Sequence, residues 1–456
     1  MDMAGIVKKQ RQFWQEGHPQ HVDFRIQQLK NLRQLVRDNE ATILASLAAD
    51  LGKPLVEGYT AEISLVLGEI QYALRHLREW LKPQNQPTPL SLFPGRLCIQ
   101  YQPLGVVLII APWNYPFQLV MAPLVGAIAA GNCAILKPSE LAPRTAEMMA
   151  ELIPRYFPPE YIAVVTGAPA VVQALLAEPL DHIFFTGSAA VGKIIMAQAA
   201  ATLTPVTLEL GGKSPCIIDR DVDLDVAVRR IVWGKFMNAG QTCVAPDYLL
   251  VPPEMKSALL PKIATCLQEF YGSDPALSPD YGRIINDAHW QRLNHLLATG
   301  RIVIGGQTDR AERYIAPTVM DAITWDDPVM QSEIFGPILP ILEYTTLEAV
   351  IEHLNCLAPP LALYFFSRNR RHQQQVIAKT QSGGVCLNDT VLQFTAPQLP
   401  FGGVGASGMG RYHGKASFLT FSYPKSILSK PQFLDFRFRY PPYNQLKLKL
   451  LKWLLG

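Results

Sequence analysis

GVVLII (105–110), CAILK (133–137), YIAVV (161–165), HIFFT (182–186) and PVTLEL (205–210) are short apolar runs separated by segments of helix length. Hairpin partners need only a few linking residues, whereas parallel strands need a crossover of a dozen or more. This alternation therefore predicts a parallel sheet with crossover helices. A second series follows: SPCIID (214–219), YLLV (248–251), RIVIGG (301–306), ILPIL (338–342), LALYFF (361–366) and GVCLN (384–388). It predicts a second α/β domain.

Ahead of both, Arg25 to Leu47 and Glu62 to Leu81 carry apolar residues at three-and-four spacing, which predicts a helical entry layer. The Pro-rich stretch KPQNQPTPLSLFPG (82–95) ends that layer, and the alternating Leu97 to Tyr101 reads as an exposed arm. At 456 residues the chain exceeds the size of one growing core, so two packed domains are expected. An apolar fraction of 49%, a charged fraction of 17% and 37 prolines describe a folded chain with many loops.

A net charge of +3 with no basic block interleaved with aromatics excludes a nucleic-acid groove. The N-terminus MDMAGIVKKQRQFWQEG lacks the apolar core of a secretory signal, so a cytoplasmic location is expected. Cysteines at 98, 133, 216, 243, 266, 356 and 386 form no CxxC pair, which fits neither a zinc site nor a disulfide framework. Most of them read as small core hydrophobes.

Open α/β sheets place ligands beyond the carboxyl ends of their strands, and that is where the polar residues fall. GVVLII leads into APWNYPF and delivers Asn114, an amide able to donate to a developing oxyanion. CAILK ends in KPSE, which brings Lys137 and Glu140 to the same edge, where they suit a ribose or phosphate. HIFFT ends on Thr186 and runs into GSAAVGK, where Gly187 and Gly192 are expected to bracket a turn before a helix whose free N–H groups face a pyrophosphate. The same run fits seven positions of a P-loop, but the eighth is Ile194, which has no hydroxyl for Mg²⁺; an ATPase is thereby disfavoured. PVTLEL presents Glu209 just ahead of Gly211 and Gly212. NAGQTCVAPDY places Cys243 in a polar loop rather than an apolar period, as a nucleophilic thiol requires. EIFGP (333–337) adds Glu333 and Phe335.

In this order and spacing APWNYPF, KPSE, FTGS, LELGGKSP, GQTC and EIFGP resemble the aldehyde dehydrogenase superfamily over nearly the whole chain. GQTCVAPDY, PFGGVGASGMGRYHGKASFLTFSYPK and the short N-terminus look most like its class 3 branch, which includes fatty aldehyde dehydrogenases. The resemblance implies an α/β aldehyde dehydrogenase-like fold. Its parts would be a Rossmann-like NAD(P)-binding domain (1–81 and 104–209, with 406–415 returning), a catalytic domain (210–405), a β oligomerisation arm (82–103 and 416–436) and an amphipathic tail (437–456). It further implies that Cys243 attacks the aldehyde, that Asn114 and the Cys243 N–H hold the oxyanion, and that Glu209 activates water against the thioester. Lys137, Glu140, Thr186, Gly187, Ser188, Gly192, Glu333 and Phe335 would hold NAD or NADP. A homodimer is expected by the same analogy, with the 82–103 arm and Ser422 to Leu428 as interface strands.

Trp113, Tyr115, Met121, Trp233 and Met237 flank Asn114 and Cys243, and as a group they suit an apolar aldehyde: long-chain aliphatic, aromatic or apocarotenoid. The C-terminal LKLKLLKWLLG is too short to span a bilayer. Leu446, Leu450, Trp453 and Leu454 share one helical face with Lys447, Lys449 and Lys452 beside it, a pattern suited to a membrane surface, and Arg439 to Pro442 reads RYPP as in fatty aldehyde dehydrogenases. A dimer contact or a cap on the substrate entrance is the alternative for this tail. Two rival functions stand: transfer of the acyl group to coenzyme A, disfavoured by the retained Glu209, and a non-catalytic binding protein on the same scaffold, disfavoured by the intact Cys243, Glu209, Asn114 and Glu333.

Overall fold

The computed structural model describes residues 2–436 and 439–455. Six strands form one sheet in the spatial order Gly408–Met409, Val206–Glu209, His182–Thr186, Val106–Ile110, Cys133–Lys137 and Ile162–Val164. All pairings are parallel except the first, in which Gly408 opposes Glu209. Chain order reverses between Val106–Ile110 and His182–Thr186. At that switch point the two following loops diverge and leave a crevice at the carboxyl edge.

Helices cover the faces of this sheet, so every residue of Val106–Ile110 and Cys133–Lys137 is buried, Lys137 included. The helix Gln118–Ala130 is buried along its whole length. Gly126 lets it pass close to the helix Gly414–Thr420, where a Cβ would stand 2.6 Å from Ser417 Cβ. The predicted entry layer is present as helices Val22–Asp38, Glu40–Leu51 and Ser64–Trp80.

A second sheet has the order Arg301–Ile304, Thr318–Asp321, Ile338–Glu343, Tyr248–Val251, Pro215–Ile218, Ala362–Phe366 and Gly384–Leu387. It is parallel apart from its first pair. All six predicted apolar runs are strands here, joined by Thr318–Asp321, whose short TVMD carries too little pattern to be read alone. A third, antiparallel sheet is built from Gln84–Gln86, Arg96–Pro103 and Ser422–Ser429, and among the described residues the last of these strands pairs on one side only. The seven cysteines are free. Cys133, Cys216 and Cys266 are core residues, but Cys98 and Cys386 are half-buried and Cys356 is exposed, which corrects their reading as core hydrophobes.

The tail forms the helix Gln445–Leu455 near Leu90–Leu92, with Leu446 and Trp453 strongly exposed. Arg437, at the predicted start of the tail, and the side chain of Leu454 lie outside the described residues. Among the described residues no helix is long and apolar enough to cross a membrane.

Candidate active site

A cavity of about 250 Å³ opens at the switch point, walled by Asn114, Thr186, Gly187, Ser188, Glu209, Cys243, Glu333 and Phe335. Five separate segments bring these residues together. A larger cavity of about 430 Å³ lies on the other side of Gly211 and Gly212, against Tyr248, Trp325 and His353. Its described wall has no cysteine, whereas the smaller cavity combines Cys243 with Glu209 and Asn114.

The Cys243 loop owes its course to three consecutive left-handed residues, Asn238 (φ 51), Ala239 (φ 51) and Gly240 (φ 72). Two of them carry a Cβ, a strained arrangement that side-chain contacts sustain. Glu57 accepts the Asn238 N–H at 2.9 Å, and Gln241 is fixed by Asn238, Arg283 and Ile285. The kink turns Gln241 to Cys243 back toward the loop that follows Val106–Ile110. There Asn114 Nδ2 donates to the Gln241 carbonyl at 3.0 Å, and the Tyr115 hydroxyl meets Thr242 Oγ1 at 2.7 Å.

Glu209 ends its strand with a buried carboxylate that has no nitrogen or oxygen partner and faces the Cys243 thiol. Burial pushes its pKa up to about 8. The thiol is pushed up too, first by burial and then by the charges of Glu209 and Glu333. Glu333 is raised to about 8, chiefly by burial, while the Gly212 N–H holds it from the other direction. The resting cavity thus pairs a protonated thiol with a carboxyl poised to exchange a proton near neutrality.

Ser188 lines the cavity and caps the helix Ala189–Ala200 by accepting the Val191 N–H, and the buried Thr186 Oγ1 has no partner among the described residues. An orphan hydroxyl beside a helix N-terminus fits the pyrophosphate of a dinucleotide. At the adjacent strand end Lys137 Nζ meets Glu140 Oε2 at 2.7 Å. Gly192 does not bracket a turn: capping by Ser188 starts the helix at Ala189, so Gly192 lies within it, packed against Leu210.

Of the five side chains expected along the substrate path, Trp113 lines the cavity, stacked edge-on against Phe335. The other four lie outside its wall. Tyr115 is buried with its hydroxyl on Thr242, and Met121 is enclosed in a helix that is buried throughout. Met237 is covered behind the kink, and Trp233 sits 38% exposed on the helix Leu224–Phe236. Sequence reasoning missed His289 and Arg292, which line the cavity from the helix Asp287–Leu296. Their i, i+3 spacing puts them on one face, yet in DAHWQRLNHL they look like ordinary solvated charges.

Residues 7–427 match the family model described as the aldehyde dehydrogenase family. The chain is 49% identical over 455 residues to aldehyde dehydrogenase family 3 member A2 of Mus musculus, covering 99% of this chain and 94% of that one. It is 48% identical over 442 residues to the dimeric NADP-preferring aldehyde dehydrogenase of Rattus norvegicus, covering 96% and 98%. A solved structure described as the substrate-bound state of Staphylococcus aureus AldH matches with a TM-score of 0.97 at 47% identity, covering 99% of both chains.

Proposed function

This chain belongs to the aldehyde dehydrogenase family and is an NAD(P)-dependent oxidoreductase, and from that premise we propose that Cys243, Glu209 and Asn114 convert its aldehyde substrate to the carboxylic acid. The observation that supports these roles is that the three side chains, from separate loops, line one cavity with Thr186, Gly187 and Ser188.

In this reading Glu209 takes the thiol proton as the Cys243 sulfur bonds to the carbonyl carbon. The oxyanion accepts hydrogen bonds from Asn114 Nδ2 and the Cys243 N–H, donors already in place before the charge develops. A bound nicotinamide supplies the hydride acceptor. Cys243 then carries the acyl group as a thioester. Glu209 releases the first proton to solvent and then removes a proton from a water that attacks the thioester, the acid leaves, and that proton passes from Glu209 to the sulfur. Retention of this base favours water over coenzyme A as acyl acceptor.

Glu333 and Phe335 are assigned to the nicotinamide riboside, Thr186 to Ser188 to the pyrophosphate, and Lys137 with Glu140 to the adenine ribose. NAD and NADP are both used by enzymes of this family. An apolar aldehyde suits the cavity, where Trp113, Leu119 and Phe335 supply most of the wall not used by polar groups. The test is Cys243→Ala, which is expected to abolish NAD(P)H formation from apolar aldehydes while the folded protein still binds NAD(P)⁺; persistent turnover sinks the assignment.

Two further readings extend to assembly and location. The unpaired edge of Ser422–Ser429, with Tyr423 and Leu428 exposed, supports a homodimer in which this strand meets a second copy. Exposed Leu446, Leu448, Leu450 and Trp453 beside Lys447, Lys449 and Lys452 support peripheral association of the tail with an anionic membrane surface.

A further inference from the structure

Behind Asn114 lies a buried ion pair that takes no part in the chemistry above. Lys53 and Glu62 are 3% and 0% exposed, and Nζ meets Oε1 at 2.5 Å. Glu62 enters the core from a single π-helical turn, Tyr59–Ile63, a wide turn of the kind that recurs at functional sites. Its Oε2 accepts the backbone N–H groups of Phe117 (2.9 Å) and Gln118 (3.0 Å), where the helix Gln118–Ala130 begins. These are free donors at a helix N-terminus, which a carboxylate satisfies well.

Lys53 Nζ donates to the Asn114 carbonyl at 3.0 Å and stands 4.1 Å above the Tyr115 ring centroid. The same carbonyl accepts from Asn238 Nδ2 at 2.9 Å, and that amide also reaches the Gln241 carbonyl at 3.1 Å. Every side-chain hydrogen bond from the pair to its surroundings thus ends on the loop that carries Asn114 or the helix start that follows it, and the Asn114 carbonyl leads on, through Asn238 and Gln241, to the loop that carries Cys243.

A buried ion pair is a poor source of stability, since apolar residues of similar volume often serve as well. The contacts give another reason for this one. We propose that Lys53 and Glu62 are positioning residues for the oxyanion site. Glu62 fixes Lys53 and the start of the helix. Lys53 fixes the Asn114 peptide, so that the Nδ2 proton not given to Gln241 is held toward an oxygen on the carbon attacked by Cys243. The inference rests on the assignment of Asn114 as oxyanion donor. Such a donor must be aimed before reaction, and a displacement of about 1 Å costs on the order of a hundredfold in rate.

The test is the first-turnover burst of NADPH after rapid mixing of the full-length enzyme with benzaldehyde and NADP⁺. It is run for Glu62→Gln, for the paired Lys53→Met/Glu62→Met variant, and for each combined with Asn114→Ala. The paired variant leaves no lone buried charge and keeps the test open should Glu62→Gln fail to fold. The burst is expected to slow about tenfold or more in both, with NADP⁺ affinity changed by less than about twofold. In the Asn114→Ala background neither change should slow it further, because a residue acting through Asn114 has nothing left to act through. A normal burst in the folded paired variant, or equal slowing with and without Asn114, overturns the proposal while the oxyanion role stands. An unchanged burst in Asn114→Ala alone removes that role, and the proposal with it.

Discussion

The carboxylate of Glu209 faces the thiol of Cys243 across a cavity that supplies the carboxylate with no nitrogen or oxygen donor. Burial lifts the acid from its ordinary 4.5 to about 8, and its charge in turn lifts the thiol. Only the ionised form of Glu209 is a base, and it accumulates as pH rises through about 8. Turnover limited by thioester hydrolysis is therefore expected to rise between pH 7 and pH 9 and to level above. Glu209→Gln should slow the first-turnover formation of NAD(P)H, since the base for the thiol is lost, and then stall at the thioester, with the rise lost. A flat wild-type profile over this range contradicts the assigned base.

Gly211 leaves room for Glu333: a Cβ there would stand 2.3 Å from Glu333 Oε2. Because the obstructed atom is the end of a flexible side chain, Gly211→Ala is expected to fold normally and to displace that carboxylate. KM for the cofactor should rise about tenfold, as when a charge-assisted hydrogen bond is lost, with the melting temperature little changed. Steady-state kinetics beside calorimetry separates this from general damage.

At Gly240 the obstruction is backbone. The residue is left-handed (φ +72), and a Cβ would lie 2.3 Å from the Gly336 carbonyl oxygen. Gly240→Ala is expected to cost about 2 kcal/mol or more, and to move the Cys243 loop, so that activity falls further than stability predicts. Denaturant unfolding and burst amplitude, measured on one preparation, report the two effects.

Under the proposed assignment of Lys137 and Glu140 to the adenine ribose, this ion pair would set opposite charges where a 2′-phosphate distinguishes the cofactors. Glu140→Gln removes the repulsive member, and NADP⁺ should gain on NAD⁺ by about fivefold in kcat/KM, on the order of 1 kcal/mol. Lys137→Met should shift the ratio the other way. No change in either variant would place the adenine ribose elsewhere.

Deleting residues 437–456 should release the protein from vesicles containing phosphatidylserine, with benzaldehyde turnover in solution preserved. Equal sedimentation of intact and shortened protein with those vesicles would remove the membrane role of the tail.

Much of this molecule is legible in its sequence, because burial on both faces makes parallel strands nearly continuous apolar runs, and such runs are visible without coordinates. Asn114, Glu209 and Cys243 are also visible, as polar residues just past strand ends or in a polar loop. Gly192 reads as part of a turn because its glycine outweighs the N-cap signal of Ser188, which starts the helix at once. Tyr115, Met121, Trp233 and Met237 are near Asn114 or Cys243 along the chain, but nearness in sequence does not set which way a side chain points. His289 and Arg292 arrive from a helix distant in sequence, and no local pattern announces them.

The sequence by itself determined the two strand series and the residues with nucleophilic, basic and hydrogen-bonding chemistry, since strand periodicity and side-chain chemistry are local properties. Tertiary structure alone decided that Glu209 meets Cys243, that three left-handed residues turn one loop onto another, and that Lys53 and Glu62 stand behind Asn114. Those outcomes depend on which loops converge at a switch point and on how fully burial strips water from charged groups. Both are properties of packing in three dimensions, to which residues far apart in the chain contribute equally.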